Sequence, residues 1–236
     1  LLLANVYFDQ GEWSRAEVCC QRALKLSQTA GDGVSEPGRA QLAVYSARLS
    51  SIRGDFQSAE RYLATAQRLA ENSQDPELEF LFSYVRTEME LRRERLELSK
   101  EWLIRTMRSA LKVRDWRLRS LVWLLAGQFR LSTGSRADFE SQQAIAAFRS
   151  RPVSLEYAGA LRLAARCDAA AGRKDRSRTQ FEESIKIFRQ FNAKYELGLT
   201  LLATAELLCT DTLSLPKKLR GMPAEHYEWV RANLEE

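Results

Sequence analysis

The sequence contains a single histidine, His226, and only eleven glycines among its 236 residues. Because histidine is the side chain most often used for acid–base catalysis and metal binding near neutral pH, a histidine-based active site or metal site is not expected. A phosphate-binding loop is not expected either, since Gly31 and Gly33 lack the following Lys-Ser/Thr pair and the preceding strand. The sequence therefore predicts no enzyme activity, no cofactor and no metal.

Proline, hairpin turns and long apolar runs are also scarce. There are five prolines, and no stretch combines strand-like alternation with the turn dipeptides of a β-hairpin. Alanine, leucine, arginine and glutamate dominate, and all four favour helices. No apolar run reaches the ~18 residues that cross a bilayer, and no signal segment opens the chain. We expect an all-α protein without a membrane partner, cut from a longer polypeptide because residues 1–8 resemble a helix already in progress.

Turn residues recur along the chain at a nearly constant interval. Four glycines each precede a helical pattern: Gly11, Gly54, Gly134 and Gly172. With Glu94 in the long gap, the steps from 11 to 54, 94, 134 and 172 are 43, 40, 40 and 38 residues. This periodicity predicts stacked helical hairpins, each too small to bury its own apolar face. Glu94 is a poor turn residue, so residues 91–98 could instead form one continuous helix.

Small side chains flank these turns at fixed distances. Seven positions before the turn stand Ala4, Ala47, Thr87, Gly127 and Ala165. Five positions after it stand Ala16, Ala59, Ser99, Phe139 and Ser177. Small residues at both points allow the two helices of a hairpin to approach closely. Larger residues nine positions after the turn are expected to fill the space between hairpins, namely Leu63, Leu103 and Phe181.

These residues resemble the motif of the tetratricopeptide repeat (TPR) family. The first copy matches the family's small, glycine and aromatic positions at Ala4, Tyr7, Gly11, Trp13, Ala16 and Ala23. The usual period is 34 residues, and the longer period here is similar to the long-repeat variety in large bacterial signalling ATPases and transcription regulators. Residues 187–208 look like a recurring ending of those arrays.

The resemblance implies a right-handed α-solenoid of about five to six hairpins over residues 1–210. Residues 211–236 would then be a linker and a C-terminal helix that caps the last repeat, or the start of another domain. Trp229 in this tail is expected to contact a partner. The four cysteines lie inside helical patterns without zinc-site spacing, which indicates buried reduced thiols and a cytoplasmic location: Cys19, Cys20, Cys167 and Cys209.

The resemblance also implies a row of binding residues. In the family, the first helix of each hairpin lines the concave side, and the position after its small residue faces the groove. That position and the one four residues earlier provide the predicted partner-binding residues Asn5, Arg48, Tyr84, Glu88, Gln128, Arg162 and Arg166. A row of mixed polarity could recognise an extended or helical peptide, although a merely solvated surface would be polar as well.

The formal net charge of +5 is mild, and acidic residues interrupt the basic ones. The basic clusters at 173–178 and 217–220 fall in different parts of the repeat pattern, whereas phosphate binding needs a continuous basic face. We therefore do not expect direct nucleic-acid binding.

The sequence favours a non-enzymatic protein- or peptide-interaction or sensor module of a larger cytoplasmic bacterial regulator. Its partner would be a protein, a peptide or another domain of the same polypeptide. Two alternatives stay open: a small-molecule inducer-sensing domain, which an enclosed apolar pocket among Tyr84, Leu124 and Trp123 would favour, and a self-association scaffold. The oligomeric state is open too. Charge reversal at Arg48 and Arg166 is expected to abolish partner binding without changing thermal stability.

Overall fold

A computed structural model describes residues 2–10, 12–29, 35–70 and 75–213. The predicted C-terminal capping helix and Trp229 lie outside these residues. Every regular element within them is an α-helix, which confirms the all-α prediction. The helices are α1 Leu2–Asp9, α2 Trp13–Thr29, α3 Glu36–Ile52, α4 Phe56–Ala70, α5 Pro76–Arg92, α6 Leu96–Ala110, α7 Trp116–Ser132, α8 Asp138–Phe148, α9 Leu155–Ala170, α10 Lys174–Gln190 and α11 Lys194–Leu213.

The turns inside four successive hairpins share one backbone geometry. Their turn residues all adopt left-handed φ values: Gly54 (81°), Glu94 (57°), Gly134 (70°) and Gly172 (73°). In the first of these turns the amide of Gly54 donates to Ser51 O at 3.1 Å, and that of Asp55 donates to Ser50 O at 2.9 Å. The same two bonds recur in the other three turns and form the Schellman motif that ends many helices. The alternative of one helix through residues 91–98 is therefore wrong.

Polar N-caps begin the first helix of four successive hairpins. Ser35, Asp75, Asp115 and Ser154 stand before α3, α5, α7 and α9, and each side chain accepts a hydrogen bond from a backbone amide in the first helical turn. Asp115, for example, accepts from Arg117 N at 2.8 Å. Capping satisfies amides that have no partner inside the helix, so both ends of these helices are fixed by local sequence.

Consecutive helices pack on one another, and the odd-numbered helices α3, α5, α7, α9 and α11 also pack side by side. The small residues lie where the two helices of a hairpin meet. Ala47 and Ala59 are fully buried, and the Ser177 hydroxyl donates to Ala165 O at 2.8 Å. A backbone carbonyl can be reached in this way only when the helices are in close contact. Leu63, Leu103 and Phe181 are buried as well.

The hairpin of α7 and α8 departs from this pattern. α8 begins at Asp138, four residues after Gly134, whereas the corresponding helices begin two residues after their turn residues. The expectation that Phe139 would stand at the close contact is wrong, because its side chain is 59% exposed and Ser141 is buried instead. Gly127 makes room for a different contact, since a Cβ there would lie 2.4 Å from Leu163 Cδ2 on α9 and the leucine would have to move.

Replacing Glu94 by glycine should stabilise the protein by about 1 kcal/mol. A left-handed backbone costs an ordinary L-residue roughly 1–2 kcal/mol, and glycine recovers that cost less its own larger loss of chain entropy. Gly134→Ala is the reciprocal control, because a Cβ at residue 134 meets nothing within 4 Å. We expect it to destabilise by about 1 kcal/mol through the backbone alone. Urea unfolding of both variants measures the two effects, and a destabilised Glu94→Gly variant would contradict the assignment.

Candidate functional site

The candidate site is a group of charged side chains on the odd-numbered helices. Arg48 of α3 and Glu88 of α5 form a two-point ion pair, with Nε to Oε2 at 2.9 Å and Nη2 to Oε1 at 3.3 Å. Arg92, one turn along α5, approaches Glu88 Oε1 to 3.8 Å. Because two hydrogen bonds fix both planes, this pair sets the orientation of the Arg48 guanidinium.

Tyr84 lies beside this pair on the same helix as Glu88. The Arg48 guanidinium stands over its ring, 5.8 Å from the centroid, and a contact of this kind is stabilising when solvent is excluded. Tyr84 and Glu88 each retain only 8% of their accessible surface. The ring therefore forms an apolar wall for the Arg48–Glu88 pair.

Helix α11 supplies the second half of the group. Glu196 Oε2 lies 2.7 Å from Nη2 of Arg162 on α9. Nη1 of Arg162 also donates to the Glu196 carbonyl at 3.1 Å and to the Thr200 hydroxyl at 3.4 Å. The Glu196 charge contributes to the raised pKa values of both Arg48 and Tyr84, so the two groups of charges lie within electrostatic reach of each other. We refer to the following six residues as the central cluster: Arg48, Tyr84, Glu88, Arg92, Arg162 and Glu196.

The two ends of the described array approach each other at this level. α1 packs on α11, and Lys194 Nζ lies 3.7 Å from Glu12 Oε1. In an open trough the two terminal helices would lie apart. Their contact therefore partly encloses the side that the odd-numbered helices line. Glu196 of the central cluster follows Lys194 by two residues on α11, so this contact between the two ends lies beside that part of the cluster.

Charge pairing sets the protonation of the cluster. Burial raises the pKa of Glu88, but the positive charges of Arg48 and Arg92 lower it more, so the net shift is below the ordinary 4.5 and the carboxylate is ionised at neutral pH. Burial, reinforced by the Glu88 charge, raises the pKa of Tyr84, which keeps its hydroxyl protonated. Burial alone would lower the pKa of Arg48, but Glu88 holds it above its usual value. Three guanidinium groups thus face two carboxylates, and the cluster carries one net positive charge.

The structure brings together four of the seven predicted binding residues: Arg48, Tyr84, Glu88 and Arg162. Gln128 is half-buried on α7, and Arg166 is exposed on α9; neither joins the ion pairs of the cluster. The Asn5 side chain is outside the described part of the molecule. Arg92 and Glu196 were not predicted. Arg92 follows Glu88 by four positions, a spacing that favours ion pairs within a helix, whereas no comparable local signal pointed to Glu196.

Buried carboxylates also pair with arginines elsewhere, since Glu90 Oε1 lies 3.2 Å from Arg86 Nη2 and Asp168 Oδ1 lies 2.6 Å from Arg173 Nη2. Cys20 and Cys167 are buried, and burial raises the pKa of each thiol. Within residues 2–10, 12–29, 35–70 and 75–213, no group of three or more His, Cys, Asp or Glu side chains is placed to hold a metal ion. The helices in those ranges also include none whose length and apolar character would let it traverse a membrane.

Comparison with known proteins adds no assignment to this geometry. No model of a known protein family matches the chain, and a search of curated proteins finds no significant match.

Glu88→Gln should destabilise the protein by about 2–3 kcal/mol at pH 7, because it leaves the largely buried Arg48 without a carboxylate. The folded-state pKa of Glu88 is depressed, so its stabilisation is fully present above its ordinary value of 4.5 and is lost as pH falls through the lower folded-state value. The free-energy difference between wild type and variant should therefore be constant near neutral pH and shrink below pH 4.5.

Urea unfolding from pH 3 to pH 8 (about six values) measures this difference. Glu79→Gln is the control, because Glu79 pairs with Lys112 at 3.0 Å on the surface, with 55% of its side chain exposed. A pair of that kind contributes less than about 1 kcal/mol. Two results would show that the Arg48–Glu88 pair is not electrostatically important. One is an equal loss of unfolding free energy in the two variants, and the other is a free-energy difference for Glu88→Gln that does not change with pH.

Proposed function

We propose that this chain is a non-enzymatic interaction module, a right-handed TPR-like α-solenoid of about five to six hairpins. It binds a protein or peptide segment along its inner helices and belongs to a larger cytoplasmic bacterial regulator. The repeated left-handed turns support the repeat assignment, since residues 54, 94, 134 and 172 share one geometry at steps of 40, 40 and 38 residues. The side-by-side packing of the odd-numbered helices supports the solenoid arrangement.

The observation that carries the binding proposal is the convergence of charged groups from α3, α5, α9 and α11. Burying charges is costly. Glu90 and Asp168 are also buried and ion-paired, but the central cluster combines charges from four odd-numbered helices. With three guanidinium groups against two carboxylates, the central cluster favours an anionic group of a ligand. Exposed Arg166 lies one helical turn after Arg162 on α9, so it extends the positive charge towards solvent. An acidic segment is therefore the expected ligand.

The ion pair between Arg48 and Glu88 also changes which substitution can test binding. Arg48 was expected to be replaceable without loss of stability, but it holds the buried Glu88 carboxylate at 2.9 Å. Arg48→Glu would place two carboxylates together in a buried site and would unfold the hairpins. Arg166 has no such structural role among the described contacts, so it separates binding from folding.

Arg166→Glu should weaken binding of an acidic peptide at least about tenfold and leave the melting temperature unchanged. The probe is selected from a displayed library of random 16-residue peptides panned against the whole chain, and selection should enrich acidic sequences. Lys186→Glu is the matched control, since Lys186 is exposed on α10 rather than on the inner helices. Calorimetric titration and thermal melts give both quantities. Equal weakening by the two variants, or no acidic enrichment, would refute the proposal.

A small-molecule sensor is the second candidate, favoured by the enclosure of the cluster. The contact between α1 and α11 and the low exposure of Tyr84 and Glu88 favour a small anion over a long chain. A thermal-shift series with succinate, glutarate and citrate tests it. A saturable rise in melting temperature that disappears in Arg162→Met would favour this function over peptide binding.

A further inference from the structure

The net charge of the chain is concentrated in one short stretch. Residues 104–119 contain one acidic residue, Asp115, and six basic ones: Arg105, Arg108, Lys112, Arg114, Arg117 and Arg119. Their difference of five equals the +5 of the whole chain, so the remaining residues are balanced. This stretch covers the second half of α6, the loop after it and the start of α7, outside the central cluster.

Apolar side chains are exposed in the same place. Ile104, Met107 and Leu111 are 42%, 43% and 82% exposed. Their spacing of three and four residues puts them on one side of α6, over about 10 Å of helix axis. Trp116, at the start of α7, is 41% exposed as well. The opposite side of α6 is already buried, with Thr106 fully covered. Of the four exposed residues, Trp116 also contacts the buried Phe148, with ring centroids 6.3 Å apart.

Only some of the basic residues around these apolar side chains form ion pairs within the protein. Lys112 pairs with Glu79 at 3.0 Å, and Arg117 pairs with Glu156. Arg108, Arg114 and Arg119 are exposed and make no ion pair with any other residue that the structure describes. The exposed part of this apolar stripe is therefore bordered by three guanidinium groups that are available to a partner.

We propose that this surface, formed by Ile104, Met107, Leu111 and Trp116 with Arg108, Arg114 and Arg119, binds an acidic amphipathic helix of a partner protein. The stripe matches the spacing with which one helix lies against another. Tryptophan, methionine and arginine are enriched in protein interfaces, and the arginine fork pairs with carboxylates at two points. Glu97 and Glu101 are exposed on the same side of α6, nearer its start, so the acidic face of the partner helix lies over residues 104–119, where the arginines are.

The test measures binding of a labelled 18-residue helical peptide, with leucine along one face and glutamate elsewhere, to the whole chain by fluorescence anisotropy. This peptide should bind at least about tenfold more tightly than a scrambled peptide of the same composition. R108E/R114E/R119E should weaken binding at least about tenfold. R22E/R149E/K186E is the matched control, because it changes the net charge equally at exposed sites elsewhere and should alter affinity less than about twofold.

A second variant, M107S/L111S, keeps every charge and should also weaken binding at least about fivefold. Thermal melts establish that each variant is folded, and the serine variant decides the outcome if the charge reversal unfolds the protein. Equal binding of the scrambled peptide, or equal weakening by the two triple variants, would overturn the proposal. Binding to phosphatidylserine vesicles without binding to the peptide would overturn it as well, by assigning the surface to lipid.

Discussion

The two helices of each hairpin must approach closely at a point where neither carries a large side chain. At that point the Ser99 and Ser177 hydroxyls donate to the carbonyls of Thr87 and Ala165 at 3.4 and 2.8 Å. These bonds fix the register of one helix on the other, since a shift of one residue would bury an unpaired hydroxyl. The left-handed turn residue ends the first helix and directs the chain so that the second helix packs at this contact. The positions of the central cluster and of the exposed stripe on α6 follow from that register, because it decides which side of each helix faces inwards.

Repetition of this register places equivalent positions of neighbouring hairpins side by side. Arg48 and Glu88 lie 40 residues apart in the sequence and meet at 2.9 Å. On the outside the same repetition lets Arg93 reach Glu60 at 2.8 Å. The two pairs differ in their surroundings, because the first is largely shielded from water. A charge that is shielded from water repays its desolvation only while its partner is present, so the buried Glu88 depends more strongly on its arginine than the partly exposed Glu60 does.

Local signals in the sequence identified the turns. Contacts between neighbouring hairpins could not be predicted from such signals. The Schellman turns depend on a few adjacent residues, so even Glu94 could be placed by the interval alone. The N-caps were equally local, and the recurrence of Asp75 and Asp115 at a 40-residue step was a usable signal that prediction overlooked. The position of Phe139 was wrong because the turn before α8 is two residues longer, which rotates the helix. The contact of Glu196 with Arg162 depends on the packing of α11 against α9, which no short window of sequence contains.

The two proposed binding surfaces are opposite sides of one pair of helices. α5 carries Tyr84 and Glu88 inwards, while its other side holds α6 through hydroxyl contacts, Ser83 with Ser109 at 3.3 Å and Thr87 with Thr106 at 3.1 Å. Each of the four hydroxyls also donates to a carbonyl of its own helix, so sliding would break the contacts between the two helices and leave the hydroxyls paired within their own helices. A rearrangement of α5 around a ligand in the central cluster must therefore move α6 with it or break these contacts. The hairpin of α5 and α6 is thus the element through which occupancy of the inner side can reach the outer one.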